Sequence, residues 1–176
     1  KDSTLAMMAA AQQKGWQIYT MEQSSLFVSN GEVYGKTKLI EIRENQSDWF
    51  KVLGESTFAL KDLDAILMRK DPPFDMEYIY TTYFLEMAER AGTLVLNKPA
   101  SIRDCNEKLF ALQFPECCPE HVVSRDEQTL REFHQTHGDV IFKPLDGMGG
   151  TSIFRIKPDD PNLSVIIETL TKNGQE

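Results

Sequence analysis

Residues 64 to 97 constrain this chain more tightly than any other stretch. Asp64-Ala65-Ile66-Leu67-Met68 has the length and apolarity of a buried parallel strand. A polar, proline-rich turn follows, Arg69-Lys70-Asp71-Pro72-Pro73-Phe74-Asp75. The spacing of Ile79, Tyr83, Leu85 and Met87 then predicts a helix from about Met76 to Arg90, with Gly92 past its end. Thr93 to Asn97 reads as the next strand. Strand, helix and strand with short joins predict a right-handed βαβ unit in an open, mainly parallel Rossmann-like sheet, hence the α/β class. Ligands in such sheets bind beyond the carboxyl ends of the strands, where Arg69, Lys70 and Asp71 fall. A guanidinium grips a carboxylate through two parallel hydrogen bonds, so Arg69 is a candidate anchor for an acidic substrate. The alternative is a rigid Pro-Pro turn carrying solvated charges.

Ahead of this unit, Ser3 is the expected N-cap of a helix bearing Leu5, Met7 and Met8, ended by Gly15. Trp16 to Met21 reads as a strand. A helix feeding a strand suggests half of a βαβ unit whose first strand is missing. Leu26 to Tyr34 is a hairpin around an Asn30-Gly31 type I′ turn. Lys38 to Ile42 suggests another strand, while Trp49-Phe50 and Val52-Leu53 suggest a short helix before Gly54.

Beyond it, Lys98-Pro99-Ala100 reads as a connector. Ser101 with Asp104 forms a capping-box pattern, and residues 106 to 112 continue as helix. Pro115 and Pro119 mark a domain boundary. Ser124 with Glu127 is a second capping box, opening a helix with Leu130 and Phe133 inward and Gly138 as terminator. His134 and His137 lie three apart on it and read as surface residues, too few to hold a metal. Pro158 to Pro161 is a turn, and Ser164 to Leu170 begins a last helix.

The chemistry is concentrated in Lys143-Pro144-Leu145-Asp146-Gly147-Met148-Gly149-Gly150-Thr151-Ser152. Val140-Ile141-Phe142 enters it as a strand, and Ile153 to Ile156 leaves it as another. Gly147, Gly149 and Gly150 give more backbone freedom than a tight hairpin needs. Such a loop turns bare N–H groups toward an anion, since no Cβ blocks a phosphate's approach. Lys143 stands at the strand exit, within reach of a phosphate oxygen, and Pro144 stiffens the departure. A Walker A loop places its lysine after the glycines and opens a helix, and a Rossmann G-x-G-x-x-G is absent, so neither common nucleotide fingerprint applies. The loop is either a phosphate cradle or a flexible hairpin tip beside a surface lysine.

Composition removes several function classes. The 176 residues carry a net charge of −8 and no basic stripe interleaved with aromatics, which argues against a nucleic-acid surface. No apolar run approaches the roughly 18 residues of a membrane span. The start, Lys1-Asp2-Ser3-Thr4, does not read as a signal peptide, because the apolar patch from Leu5 to Ala11 is broken by Gln12-Gln13-Lys14. Cys105, Cys117 and Cys118 show no C-x-x-C and no ligand spacing to a histidine, so reduced thiols in a cytoplasmic protein are expected rather than a zinc site.

Four strings together resemble the bacterial glutathione synthetase family of the ATP-grasp superfamily. They are Met68 to Asp75, Asn97-Lys98-Pro99, Ser101-Ile102-Arg103-Asp104-Cys105-Asn106-Glu107-Lys108-Leu109, and Lys143 to Gly150. The resemblance spans essentially the whole chain. It implies an N-terminal α/β domain at 1–98 without its opening strand, a helical connector at 99–119, and the start of an α+β ATP-grasp lid at 120–176. The chain would then be a fragment, inactive alone, of an ATP-dependent carboxylate–amine ligase. The implied reaction joins γ-glutamylcysteine to glycine through an acylphosphate, giving glutathione, ADP and phosphate. The resemblance also implies that Lys108 and Lys143 contact the nucleotide, that Gly147, Met148, Gly149 and Gly150 close over its phosphates, and that Arg69, Lys70 and Asp71 form a substrate edge. No catalytic residue is assigned. ATP and Mg²⁺ are the expected cofactors, with the Mg²⁺ ligands beyond residue 176 and no metal site within the chain. Small-molecule substrates, a homo-oligomer, and neither nucleic acid nor membrane complete the expectation. The competing readings are another ATP-grasp ligase and a non-catalytic ATP-binding relative.

Overall fold

A computed structural model describes residues 2–43 and 48–175. Lys1, which opens the sequence read above, lies outside the described residues. The chain divides into two compact units, Lys1–Asp104 and Cys105–Glu176.

In the first unit, helix α1 spans Ser3–Gln13. Its cap is Asp2 rather than Ser3: the Asp2 carboxylate accepts from the backbone N–H groups of Thr4 at 2.7 Å and Leu5 at 3.1 Å. Those bonds, Leu5 first, hold the carboxyl below its ordinary range. Strands β1 (Ile18–Thr20), β2 (Leu26–Ser29), β3 (Glu32–Ile42) and β4 (Phe50–Ala59) form one antiparallel sheet. β3 is its spine. β2 lies against the first part of one edge and β1 against the later part, while β4 runs along the other edge. The β2–β3 turn places Asn30 at φ 51° and Gly31 at φ 80°, the positive pair that a type I′ hairpin demands.

Two expectations fail in this sheet. Lys38 to Ile42 is no separate strand but the second half of β3. The residues expected as a short helix before Gly54 belong mostly to β4. Val52 pairs with Ile40 and Gly54 with Leu39, which leaves Leu53 as the extra residue of a bulge. Gly54 therefore relaxes a bulged strand instead of ending a helix, and pairing with a distant strand overrides the local composition.

Strands β5 (Ala65–Leu67) and β6 (Leu94–Leu96) are parallel and joined by helix α2 (Met76–Arg90). This is the predicted βαβ unit. Parallel pairing among the described residues is confined to β5 and β6, and the larger sheet is antiparallel. Asp75 caps α2, accepting from the Tyr78 N–H at 2.9 Å. Leu85 and Ala88 of α2 bury against Ile66, Val95, Leu60 and Val33, which form the core. β5 is not buried on both faces as expected: Leu67, Leu94 and Leu96 on the opposite face are 46%, 56% and 47% exposed. Helix α3 (Pro99–Asp104) contains Ser101 in its body, so the capping box expected there does not form.

The second unit opens with two short 3-10 turns, Phe110–Gln113 and Pro115–Cys117, the first of them at the end of the run 106 to 112 where a helix was expected. Helix α4 (Glu127–His137) is capped by Asp126 rather than Ser124. Asp126 accepts from the Thr129 N–H at 2.8 Å, and the Ser124 hydroxyl accepts from the Asp126 N–H at 2.9 Å. Strands β7 (Val140–Phe142) and β8 (Phe154–Ile156) pair antiparallel, and helix α5 (Leu163–Leu170) follows. Val140, Phe142, Ile156 and Ile167 form the core, with Leu130 and Phe133 packed against it. His134, expected on the surface, is buried, its Nε2 lying 3.0 Å from the Lys157 carbonyl. A histidine with a backbone partner is a satisfied structural residue.

Candidate functional site

The loop between β7 and β8 is built as the glycines require. Gly149 and Gly150 stand at φ 63° and 81°, and Ser152 joins them at φ 58°. Gly147 serves a different need. A Cβ there would lie 2.8 Å from Pro144 Cγ and 3.2 Å from the Thr151 carbonyl oxygen, so the loop folds back on Pro144 too closely for any side chain. The Thr151 N–H donates to the Met148 carbonyl at 3.1 Å, closing a turn around the two positive-φ glycines. The loop therefore has one crowded end and one open, pliable end.

Lys108 reaches this loop from 37 and 39 residues away in sequence. Its ammonium donates to the Gly147 carbonyl at 2.7 Å, to the Leu145 carbonyl at 3.2 Å and to Glu107 Oε1 at 2.9 Å. The side chain is only 12% exposed. An ammonium has three donors, and here three acceptors surround it. Lys143 is exposed at the end of β7 and forms no hydrogen bond or ion pair among the described residues. Of the two lysines beside the glycine loop, one is tethered to its backbone and the other is available to an incoming anion.

Asn106 is the residue that sequence reading overlooks, because it falls in a run read as helix. Its Oδ1 accepts from the backbone N–H groups of Lys108 at 3.0 Å and Leu109 at 3.1 Å. Its Nδ2 donates to the Leu145 carbonyl at 3.2 Å. An asparagine bonding its own backbone two residues on makes an Asx turn, and that preference was the available signal. The partner at Leu145 had none, since it is a tertiary contact.

The first unit gathers Arg69, Lys70 and Asp71 just past the end of β5, all exposed. Arg69 donates through Nε to Thr4 Oγ1 at 3.1 Å and through a terminal nitrogen to Ser3 Oγ at 3.0 Å, tying the strand exit to the start of α1. Lys70 Nζ donates to the Asp71 carbonyl at 3.0 Å, and the Tyr78 hydroxyl donates to the Lys70 carbonyl at 3.1 Å. Burial, with the Asp71 charge second, pushes the Tyr78 phenol above its ordinary value. Two of the five Arg69 guanidinium N–H donors are thus used internally. Among the described residues no group of three His, Cys, Asp or Glu side chains is placed to hold a metal ion. Nor is any helix of these residues long and apolar enough to cross a membrane.

The fold resembles part of a solved ATP-grasp ligase. A solved structure of the ATP-grasp ligase PsnB complexed with minimal precursor superposes with a TM-score of 0.52 at 18% identity, covering 90% of this chain and 54% of that one. Two family models divide the sequence between them: the N-terminal domain of prokaryotic glutathione synthetase matches residues 1–103, and its ATP-grasp domain matches 107–176. The chain belongs to the prokaryotic glutathione synthetase family. Curated proteins named glutathione synthetase are 57% identical in Photorhabdus laumondii, over 99% of this chain, and 58% identical in Vibrio cholerae, also over 99%. A third, from Pseudomonas syringae, is 57% identical over the whole chain. The chain spans 55% of the length of each of these relatives.

Proposed function

We propose that this chain is part of an ATP-dependent carboxylate–amine ligase that joins γ-glutamylcysteine to glycine. The observation that carries the reading is the assembly of Lys108, Lys143 and the Gly147–Gly150 loop in one unit, within a family whose relatives bear the name glutathione synthetase.

In the reaction, a carboxylate oxygen of γ-glutamylcysteine attacks the γ-phosphorus of ATP, and ADP leaves with the electron pair of the broken P–O bond. The glycine amine then attacks the acyl carbon of the acylphosphate, and phosphate departs as the amide forms. Negative charge spreads over the transferred phosphoryl oxygens, and fixed cations stabilise it without reorganisation. In this reading Lys143 and Lys108 supply those cations. Gly147, Met148, Gly149 and Gly150 bring backbone against the phosphates and shield the acylphosphate from water. Arg69, with Lys70 and Asp71, offers a substrate edge where the unused guanidinium donors meet a carboxylate. Among the described residues no set of side chains is placed to hold the magnesium expected with ATP. Family membership supports small-molecule substrates, a cytoplasmic location and a homo-oligomeric state as parts of the same reading.

The test is ADP release by the full-length protein. Release that requires both γ-glutamylcysteine and glycine is the expected result, together with a loss of ATP affinity of at least ten-fold in Lys143→Ala, about the weight of one charged hydrogen bond. Turnover with a different acidic substrate, or ATP binding without turnover, would replace this reading with another.

A further inference from the structure

The three acceptors around the Lys108 ammonium leave no donor for a phosphate. Two of the three are carbonyls of the glycine loop itself, so loop and nucleotide compete for the same hydrogens. Asn106 touches both the lysine and one of these carbonyls: it seats the Lys108 backbone through Oδ1 and holds the Leu145 carbonyl through Nδ2. We propose that Asn106 is a positioning residue for the nucleotide site, latching the 145–147 backbone onto the Lys108 ammonium until a nucleotide phosphate displaces a loop carbonyl. The proposal rests on the nucleotide reading of the previous subsection and adds to it a cost of binding, since a site whose competent form is only partly populated shows a reduced apparent affinity.

Two substitutions separate the two bonds. Asn106→Ser keeps an oxygen able to accept from the N–H groups two and three residues on, but it is too short to reach Leu145. Asn106→Ala loses both. In the full-length protein, amide exchange of residues 145–151 without nucleotide should rise about five-fold in either variant, the weight of one exposed hydrogen bond. Affinity for a non-hydrolysable ATP analogue, measured by titration calorimetry with Mg²⁺, should split in sign. Asn106→Ser tightens binding by up to about five-fold because the latch no longer opposes it, whereas Asn106→Ala weakens binding because Lys108 loses its seat. Unchanged loop exchange in Asn106→Ser, or the same direction of affinity change in both variants, overturns the proposal. Should Asn106→Ala not fold, Lys108→Met must reproduce the rise in loop exchange. If the wild-type protein binds no ATP analogue, the nucleotide reading falls, while the exchange data still decide whether the latch exists.

Discussion

The Arg103 guanidinium donates to Glu86 Oε2 at 2.6 Å while lying 4.5 Å from the centroid of the Tyr83 ring. Its other terminal nitrogen donates to Thr82 Oγ1 at 3.0 Å, so one side chain near the end of α3 meets a hydroxyl, a ring and a carboxylate of α2. With Arg90, Arg103 also sets the titration of Glu86. Hydrogen bonding to Arg103 first, then to Arg90, holds that carboxyl below its ordinary value of 4.5. A folded-state value below the unfolded one means that the pair's contribution is complete above the ordinary value and disappears as pH falls through the lowered one. Arg103→Met should therefore lower the thermal midpoint by a few degrees at neutral pH. The gap between wild type and variant should narrow as the solution is acidified below pH 4.5, leaving the part due to Thr82 and Tyr83, as followed by circular dichroism.

Leu60 is fully buried, in the core shared by Val33, Ile66, Leu85, Ala88 and Val95. Leu60→Ala should cost about 2–5 kcal/mol in urea unfolding of the first unit, from lost transfer energy and the cavity left behind. Gly35 borders that space, since a Cβ there would meet Leu60 Cδ2 at 3.1 Å.

The two kinds of glycine in the β7–β8 loop should respond differently. Gly149→Ala meets no atom within 4 Å and carries only the strain of φ 63°, about 1–2 kcal/mol. Gly147→Ala drives a methyl into Pro144 and the Thr151 carbonyl, so the loop backbone proposed to meet the phosphates must shift as a whole. In the full-length protein, Gly147→Ala should weaken ATP-analogue binding more than Gly149→Ala, as read by calorimetry.

Gly31→Ala tests the hairpin. The position at φ 80° has open space around it, so any loss is conformational rather than steric. Stability of the first unit should fall by about 1 kcal/mol in urea unfolding, with the β2–β3 register unchanged in exchange protection.

Sequence reasoning succeeded where the determinants were local. Asp75 before the helix and Gly92 after it fix α2 at both ends, and Asn30-Gly31 selects the type I′ turn of a two-residue hairpin. It failed at Phe50 to Leu53, where the structure is decided by pairing with β3, and at Asp2 and Asp126, each an N-cap displaced from the serine chosen first. The glycine loop and Lys143 are legible because residue type alone limits what they can do. Lys108 has no such local signature: apart from family resemblance it is an ordinary charged residue, and its place at the loop depends on Leu145 and Gly147 arriving beside it. Asn106 lay between these cases, with its turn readable and its tertiary partner not.

The outward leucines of β5 and β6 have a practical corollary at the bench. Leu67, Leu94 and Leu96 form a greasy stripe on water while their strands are fully folded. Environment-sensitive dyes should light up on the 176-residue polypeptide before it unfolds, giving a high starting fluorescence and a shallow rise on heating. A melting curve taken by dye would then understate how cooperative the unfolding is, and a thermogram or ellipticity trace is the sounder record.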